Sequence, residues 1–442
     1  MSLLDMIKEA GVVGAGGAGF PTHAKLASKA EYIILNGAEC EPLLRVDQQL
    51  MQMFPDEIIK GFEAAGRLVS ASKAIMGVKG KHKEVVSILR QRIDALNFGD
   101  FIEVKELPDV YPMGDEQVLV YELTGRVVPE AGIPLQVGCV VINSETALNI
   151  YNASINKPVT ESYLTIAGDI PKRLSLKVPV GTPLLEVLKL SGIDDFTDYA
   201  VIDGGPMMGS VLKNLDGFVI KKSKGFVILK KSHNLIQRKS KSMEQTRRIN
   251  RAACEQCRMC TDMCPRYLLG HDLQPHKMQR VINYNLEEMQ DQKMVYLCSQ
   301  CNVCELFACP LAIYPRAANQ YIKQKLVEKN IKFEPSKTKF TARDSREFRM
   351  LPSKRLIARL GLLEFDKPAL MTNTSISPHT VYIAKSQHVG SPAIPTVAVG
   401  EQVAVGQLIG KIPENSLGAA IHASISGTVV EVGDAFIVIR RV

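Results

Sequence analysis

Eight of the ten cysteines lie in one part of the sequence, between residues 254 and 309. Two runs contain them, and each run ends in a Cys-Pro step. The first run has the spacing C-x2-C-x2-C-x3-C, and the last gap of the second is one residue longer. Thiolates are metal ligands, and no secretory signal precedes these runs, so their clustering indicates metal binding rather than disulfides.

The spacing favours two 4Fe–4S clusters. Three thiolates two residues apart can reach three irons of one cluster, and in two-cluster ferredoxins the distal cysteine of each run serves the other cluster. We therefore assign one cluster to Cys254, Cys257, Cys260 and Cys309, and the other to Cys298, Cys301, Cys304 and Cys264. The alternative is two zinc ions, each held by four thiolates. Because such clusters carry single electrons, the sequence predicts a redox protein.

A second candidate site is the glycine-rich stretch VVGAGGAGFPTHAK, residues 12–25, in which Gly14, Gly16 and Gly19 fit the dinucleotide-binding pattern G-x-G-x-x-G. That pattern requires a buried strand before its first glycine. The preceding apolar residues, at positions 3, 4 and 7, have helical spacing instead. We therefore expect no Rossmann fold. Glycines beside a helix that begins near Thr22, its candidate cap, still predict a phosphate-bearing ligand.

Four motifs in order resemble the flavin-binding domain shared by the NADH-oxidising flavoprotein subunit of complex I and the C subunit of the Rnf complex. They are GAGGAGFPTHAK (14–25), NGAECEP (36–42), YPMGDEQVLV (111–120) and VINSETA (141–147). The resemblance implies FMN as the bound flavin and NADH as the electron donor. This chain departs from the complex I pattern at two positions. It has Ala38 where the complex I pattern has an Asp, and Asp115 where that pattern has a Glu.

The resemblance also implies which residues bind the cofactor. The loop around FMN would be Gly14, Gly16, Gly17 and Gly19, with Lys25 at its phosphate. Beside the flavin and the nicotinamide would lie Asn36, Glu39 and Glu41, and the isoalloxazine would be flanked by Gly114, Asp115 and Glu116. The phosphate or ribityl chain would be held by Asn143, Ser144 and Thr146. No catalytic side chain is assigned, because the chemistry belongs to the cofactors.

The fold class predicted is multidomain α/β and α+β, with five segments. VIDGGPMMG (201–209) resembles a β-grasp signature of the same family, and the short β segments after residue 381 resemble a barrel-sandwich hybrid. The predicted segments are an FMN- and NADH-binding α/β domain (1–155), a β-grasp domain of the soluble-ligand-binding type (156–235), a helical ferredoxin-like 4Fe–4S domain (236–335), a linker (336–378) and the barrel-sandwich hybrid (379–442).

The position of the barrel-sandwich module at the C-terminal end resembles the cobalamin reductases of propanediol-utilisation microcompartments. The resemblance implies NADH-dependent reduction of oxidised cobalamin in support of a B12-dependent diol dehydratase. It also implies a cytoplasmic protein inside a bacterial microcompartment, with a cobalamin adenosyltransferase and shell proteins as partners. Two alternatives stay open: an electron-input subunit for ferredoxin or a membrane Rnf-like complex, and a scaffold or binding protein of the microcompartment.

The net charge of +8 is concentrated in residues 221–251, which hold eleven Lys or Arg and one acid, Glu244. This stretch is interpreted as a solvated linker or as a docking patch for an acidic or phosphate-bearing partner. We expect no nucleic-acid binding, since no aromatic interleaving of the basic residues and no known module accompany it. No membrane span is expected either, because the chain has no run of about 18 apolar residues.

Overall fold

The computed structural model describes residues 1–286, 290–335, 337 and 339–441. Its N-terminal α/β domain is built on a parallel four-stranded sheet of order β3-β2-β1-β5. The strands of this sheet are β1 (Tyr32–Gly37), β2 (Lys73–Lys79), β3 (Ile102–Leu107) and β5 (Cys139–Asn143), and the short strand β4 (Val110–Tyr111) lies outside it. The helices are α1 (Leu3–Glu9), α2 (Thr22–Leu26), α3 (Val46–Met53), α4 (Pro55–Leu68), α5 (Lys83–Ala95), α6 (Glu116–Thr124) and α7 (Ser144–Ser154).

Both faces of this sheet are buried, as the unbroken apolar run of β1 requires. Ile33 packs into the core shared with α4 and α7, and Ile34 packs into the core on the opposite face, beside Leu119 of α6. Helix α1 precedes the glycine loop, so the expectation that no strand enters the loop is confirmed. Thr22 was expected to cap α2 but is its first helical residue, and the cap position is Pro21.

A mixed five-stranded sheet of order β7-β6-β10-β8-β9 follows. Its strands are β6 (Glu161–Gly168), β7 (Leu174–Pro179), β8 (Tyr199–Asp203), β9 (Ser210–Val211) and β10 (Gly225–Lys230), and α8 (Leu184–Lys189) packs on it. The basic stretch 221–251 begins here, but it is not a solvated linker throughout. Lys221 is buried, the side chain of Lys224 is only 11% exposed, and strand β10 runs through the stretch.

The cysteine-rich segment is helical. Its α-helices are α9 (Asn234–Lys239), α10 (Met243–Ala253), α11 (Met259–Asp262), α12 (Pro265–Leu268), α13 (Pro275–Tyr284) and α14 (Pro315–Glu328). A 3-10 helix spans Gln290–Leu297 and a π-helical turn spans Val303–Ala308. Short helices separated by tight turns bring the last cysteine of each run beside the first three cysteines of the other run.

The predicted linker contains β11 (Leu351–Pro352) and α15 (Ser353–Arg359), and β11 pairs with β4 of the N-terminal domain. The C-terminal module has two antiparallel sheets, of order β12-β18-β17-β14 and β13-β15-β16. Its strands are β12 (Thr380–Ala384), β13 (Ile394–Pro395), β14 (Gln402–Val403), β15 (Leu408–Lys411), β16 (Ile421–His422), β17 (Gly427–Val432) and β18 (Phe436–Arg440). In the described part of the chain, no helix is long and apolar enough to cross a membrane.

Candidate functional site

The glycine loop between α1 and α2 forms one wall of a cavity of about 350 Å³, within the usual size of a small-molecule site. The opposite wall is strand β5 and the start of α7. Seven of the predicted cofactor residues line this cavity: Gly14, Gly17, Gly19, Lys25, Glu116, Asn143 and Thr146. The structure therefore brings the first, third and fourth sequence motifs together around one space.

Lys25 supplies the positive charge of this cavity. Its Nζ lies 3.3 Å from Oε1 of Glu116 and donates a hydrogen bond of 2.9 Å to the carbonyl oxygen of Val141. The side chain stays 31% exposed, so the ammonium group remains accessible. A lysine in this setting can meet a phosphate by exchanging its present carboxylate partner.

The start of helix α7 adds backbone donors to the same cavity. Asn143 precedes the helix, and its side chain makes no capping hydrogen bond. The Thr146 hydroxyl accepts a hydrogen bond of 3.1 Å from the backbone N–H of Ala15 in the glycine loop. Among the described residues the buried Thr22 hydroxyl, also in the lining, has no hydrogen-bond partner. A helix N-terminus, a lysine and an unsatisfied hydroxyl fit the phosphate and ribityl chain of FMN.

Gly16 and Ser144 are predicted cofactor residues that do not line the cavity. A Cβ on Gly16, at φ +81°, would lie 2.8 Å from the side chain of Lys224. The Lys224 Nζ lies 3.0 Å from Asp47 and 2.7 Å from Glu145, and Ser144 donates to the same Asp47 oxygen. This buried network supports the glycine loop. Sequence reasoning missed it, although Glu145 lies inside a recognised motif.

Asn36 and Gly114 hold the second and third motifs together. The Asn36 amide donates a hydrogen bond of 2.9 Å to the Gly114 carbonyl, and the Gly114 N–H lies 3.3 Å from the Cys40 sulfur. Neither Asn36 nor Gly114 lines the cavity beside the glycine loop. Their predicted contacts with flavin stay predictions.

Glu39 and Glu41 have protein partners. Glu39 accepts hydrogen bonds from the first turn of α3, including one of 2.7 Å from the Asp47 N–H, and burial raises the pKa of its carboxyl to about 7. Glu41 accepts 2.9 Å bonds from the backbone N–H groups of Met207 and Met208, in the β-grasp turn. The structure thus places Glu41 at a domain junction, and its role beside the nicotinamide stays a prediction.

The eight cysteines form two groups that line two separate cavities. We call Cys264, Cys298, Cys301 and Cys304 the inner set. We call Cys254, Cys257, Cys260 and Cys309 the outer set. Each group takes its fourth cysteine from the other run, and the groups have the same members as the two ligand sets proposed from the sequence.

The chemistry of these thiols suits a polynuclear cluster. Burial, together with the charge of neighbouring cysteines, raises the pKa of the Cys260 and Cys264 thiols to about 12. Such thiols ionise only when a strongly positive centre stabilises the thiolates. Among the described residues, no three Cys, His, Asp or Glu side chains are placed to hold a single metal ion. Each set provides four thiols around one cavity, which fits the ligand requirement of a 4Fe–4S cluster.

The inner set lies against the N-terminal domain. The buried Tyr111 hydroxyl, in the third flavin motif, donates a hydrogen bond of 2.7 Å to the Cys301 carbonyl. Arg266, two residues beyond Cys264, forms a bidentate ion pair with Asp115. Asp115 therefore connects the flavin motif to the cysteine segment.

The C-terminal module packs against the glycine loop. A Cβ on Gly19 would lie 3.1 Å from the Gln387 carbonyl oxygen. At the other end of the loop, the buried Lys221 Nζ donates 2.7 Å hydrogen bonds to the carbonyls of Gly11 and Ala420. The sequence did not predict that this module would complete the surroundings of the loop.

Comparison with known families agrees with this division. Residues 7–152 match the Nuo51 FMN-binding domain, residues 253–313 match a 4Fe–4S dicluster domain, and residues 369–440 match the RnfC barrel sandwich hybrid domain. The predicted fold class is thus confirmed.

Full-length relatives decide the family. The chain is 40% identical over 442 residues to the cobalamin reductase PduS of Citrobacter freundii, covering 100% of this chain and 96% of that protein. It is 41% identical over 441 residues to cobalamin reductase PduS of Salmonella typhimurium, covering 99% and 96%. The chain belongs to the PduS family. This PduS-family protein is an oxidoreductase with an FMN-binding domain and a 4Fe–4S dicluster domain.

The relation to Rnf proteins is also confirmed. The PduS-family chain is 36% identical over 220 residues to the C subunit of the proton-translocating ferredoxin:NAD(+) oxidoreductase complex of Clostridium ljungdahlii. That alignment covers 48% of this chain and 47% of the Clostridium protein.

Proposed function

We propose that this protein oxidises NADH and passes single electrons to oxidised cobalamin. The observation that carries the proposal is the direct connection of the flavin motif at Tyr111 and Asp115 to the inner cysteine set. Membership of the PduS family supports cobalamin as the acceptor. When bound, FMN accepts a hydride and the clusters carry single electrons.

The residues of this chain would position the cofactors and adjust their surroundings. Lys25, Asn143 and Thr146 would hold the FMN phosphate and ribityl chain, with Thr22 as an additional donor. The inner and outer sets would each hold one 4Fe–4S cluster. The buried Tyr111 and Arg266 would exclude water between the flavin domain and the inner set.

The test is anaerobic stopped-flow spectroscopy of the cofactor-loaded protein mixed with NADH and aquacobalamin. We expect the flavin and iron–sulfur absorbance to bleach, followed by a shift of the corrinoid bands to reduced forms. Bleaching without a corrinoid change would reject cobalamin and favour a ferredoxin or a membrane complex as acceptor. A protein that stays oxidised with NADH would reject the donor.

The cellular setting is part of the same proposal. The PduS relatives favour a cytoplasmic location within a bacterial microcompartment, with shell proteins and a cobalamin adenosyltransferase as partners. Affinity purification from cells that express the shell proteins tests this. If the protein is recovered only in fractions without shell proteins, its location in a microcompartment is rejected.

A further inference from the structure

The two cysteine sets differ in how far they lie from the protein surface. Cys301 and Cys304 of the inner set are buried, and Asn302 between them donates a hydrogen bond of 2.9 Å to the Met207 carbonyl of the β-grasp turn. In the outer set, Cys257 is exposed. The outer set is therefore the one that a partner molecule can approach.

Apolar residues surround this opening. Leu311, which lines the outer-set cavity, is 42% exposed, and Pro310 beside it is also exposed. A small apolar centre with a charged rim is the usual composition of a transient protein interface.

The rim is mainly basic. Arg251 lies in the last turn of α10, three residues before Cys254. Arg258 is half-exposed between Cys257 and Cys260, and the exposed Arg280 donates a hydrogen bond of 2.7 Å to Gln256 of the first cysteine loop (254–258). On α10, α11, α13 and the first cysteine loop, the described cations are Arg247, Arg248, Arg251, Arg258, Lys277 and Arg280, and the described carboxylates are Glu244, Glu255 and Asp262. The outer face thus has an excess of positive charge.

We propose that this outer face, formed by Cys257, Leu311, Arg251, Arg258 and Arg280, is the docking surface for an acidic protein that accepts electrons from this chain. The proposal rests on the proposed electron-transfer function. Opposite charge raises association rates and orients the encounter. Each encounter would transfer one electron to the partner, and one NADH, oxidised to NAD+, would supply two encounters.

The location of the basic residues favours a protein over a free corrinoid as the occupant. The three arginines lie on three elements, α10, the first cysteine loop and α13, and of these three Arg258 alone lines the outer-set cavity. A distributed charge of this kind complements an extended acidic surface better than a single phosphodiester. An acidic ferredoxin is a suitable probe, and a basic cytochrome c is its counterpart.

The test measures binding of each oxidised probe to the cofactor-loaded full chain by titration calorimetry at several salt concentrations. The variant is Arg251→Glu with Arg280→Glu, and the control is Lys157→Glu with Lys213→Glu, two exposed lysines of other domains with the same change in net charge. We expect the variant to raise the Kd for ferredoxin at least tenfold and to remove most of its salt dependence. The control should change the Kd less than twofold.

Two further measurements keep the result interpretable. Iron content must equal that of the wild type, and if it falls, Arg248→Glu with Arg251→Glu, both on α10, replaces the variant. Equal Kd values for variant and control, or tighter binding of cytochrome c than of ferredoxin to the wild type, would overturn the proposal. The proposal would also be overturned if the variant reduced free aquacobalamin more slowly than the wild type while its Kd for ferredoxin stayed unchanged. Failure of the wild type to reduce aquacobalamin would reject the proposed acceptor but not this docking surface.

Discussion

Arg266 and Asp115 form a bidentate ion pair, with the guanidinium nitrogens 2.6 and 2.9 Å from the carboxylate oxygens. Both side chains are about nine-tenths buried. Asp115 also accepts hydrogen bonds from the N–H groups of Gln117 and Val118 at the start of α6. The pair therefore links a capped helix of the flavin domain to the chain that follows the inner ligand Cys264.

Replacing Arg266 by Ala should destabilise the protein by about 3–5 kcal/mol, because the Asp115 carboxylate would remain buried without its partner. Denaturant unfolding of the loaded protein measures this. Arg248→Ala is the control, since its ion pair with Glu244 is 79% and 72% exposed and should contribute less than about 1 kcal/mol. Equal losses in the two variants would contradict the prediction.

Replacing Lys25 by Met should weaken FMN binding about 10- to 100-fold, the loss expected for one charge-assisted hydrogen bond to phosphate. Fluorescence titration of the flavin-free protein with FMN gives the Kd. Lys29→Met, at an exposed position just beyond the same helix, should leave the Kd unchanged. If both variants bind FMN as the wild type does, the phosphate lies elsewhere.

Two glycines of the loop should respond differently to substitution by Ala. At Gly16 the positive φ and the contact with Lys224 should cost about 1–3 kcal/mol of stability. At Gly17 a Cβ would meet nothing within 4 Å and would enter the cavity, so stability should hold while FMN affinity falls. Thermal unfolding and FMN titration of both variants test this, and a reversed pattern would reject the assignment of the cavity.

Replacing Cys257 or Cys301 by Ser should each remove about half of the iron, because each residue belongs to a different set. Two 4Fe–4S clusters would give about eight irons per wild-type chain. Iron and zinc analysis of anaerobically purified protein provides the measurement. Cys139→Ser, in strand β5, is the control and should retain all iron. Zinc instead of iron in the wild-type protein would favour the alternative of two zinc sites and contradict the prediction.

The buried His271 should make stability depend on pH. Burial lowers the pKa of its imidazole to about 4. Between pH 6.5 and 4 the unfolded chain therefore binds a proton that the folded chain does not, so up to about 3 kcal/mol of stability is lost as the pH falls. His271→Gln should flatten this dependence by about one proton, whereas His379→Gln, at an exposed position, should not. The measurement is the free energy of unfolding of the wild type and of both variants from pH 7 to 4. The same pH dependence in all three proteins would contradict the prediction.

Local sequence patterns predicted much of the fold and the grouping of the cysteines. The helical spacing of Leu3, Leu4 and Ile7 predicted α1 and excluded a Rossmann strand before the glycines. The spacing of the cysteines predicted which residues share a set, because the reach of neighbouring thiolates in a tight loop is a short-range property.

Long-range contacts were not predictable in the same way. Lys221 and Lys224 belong to a basic stretch whose composition is typical of solvated chain, yet Lys221 is buried and the side chain of Lys224 is only 11% exposed. Glu41 belongs to a flavin motif, yet its carboxylate accepts hydrogen bonds from the β-grasp turn. A charged residue becomes buried when a distant partner compensates for its lost hydration, and local sequence does not identify that partner.

The sequence by itself determined the redox class and the order of the modules and predicted the cluster ligands, since these depend on residue types and spacings. Only the tertiary structure decided that Arg266 meets Asp115, that the C-terminal module borders the glycine loop, and that the outer set faces the surface. Each of these depends on how separate domains pack, and packing is a property of whole surfaces rather than of any one segment.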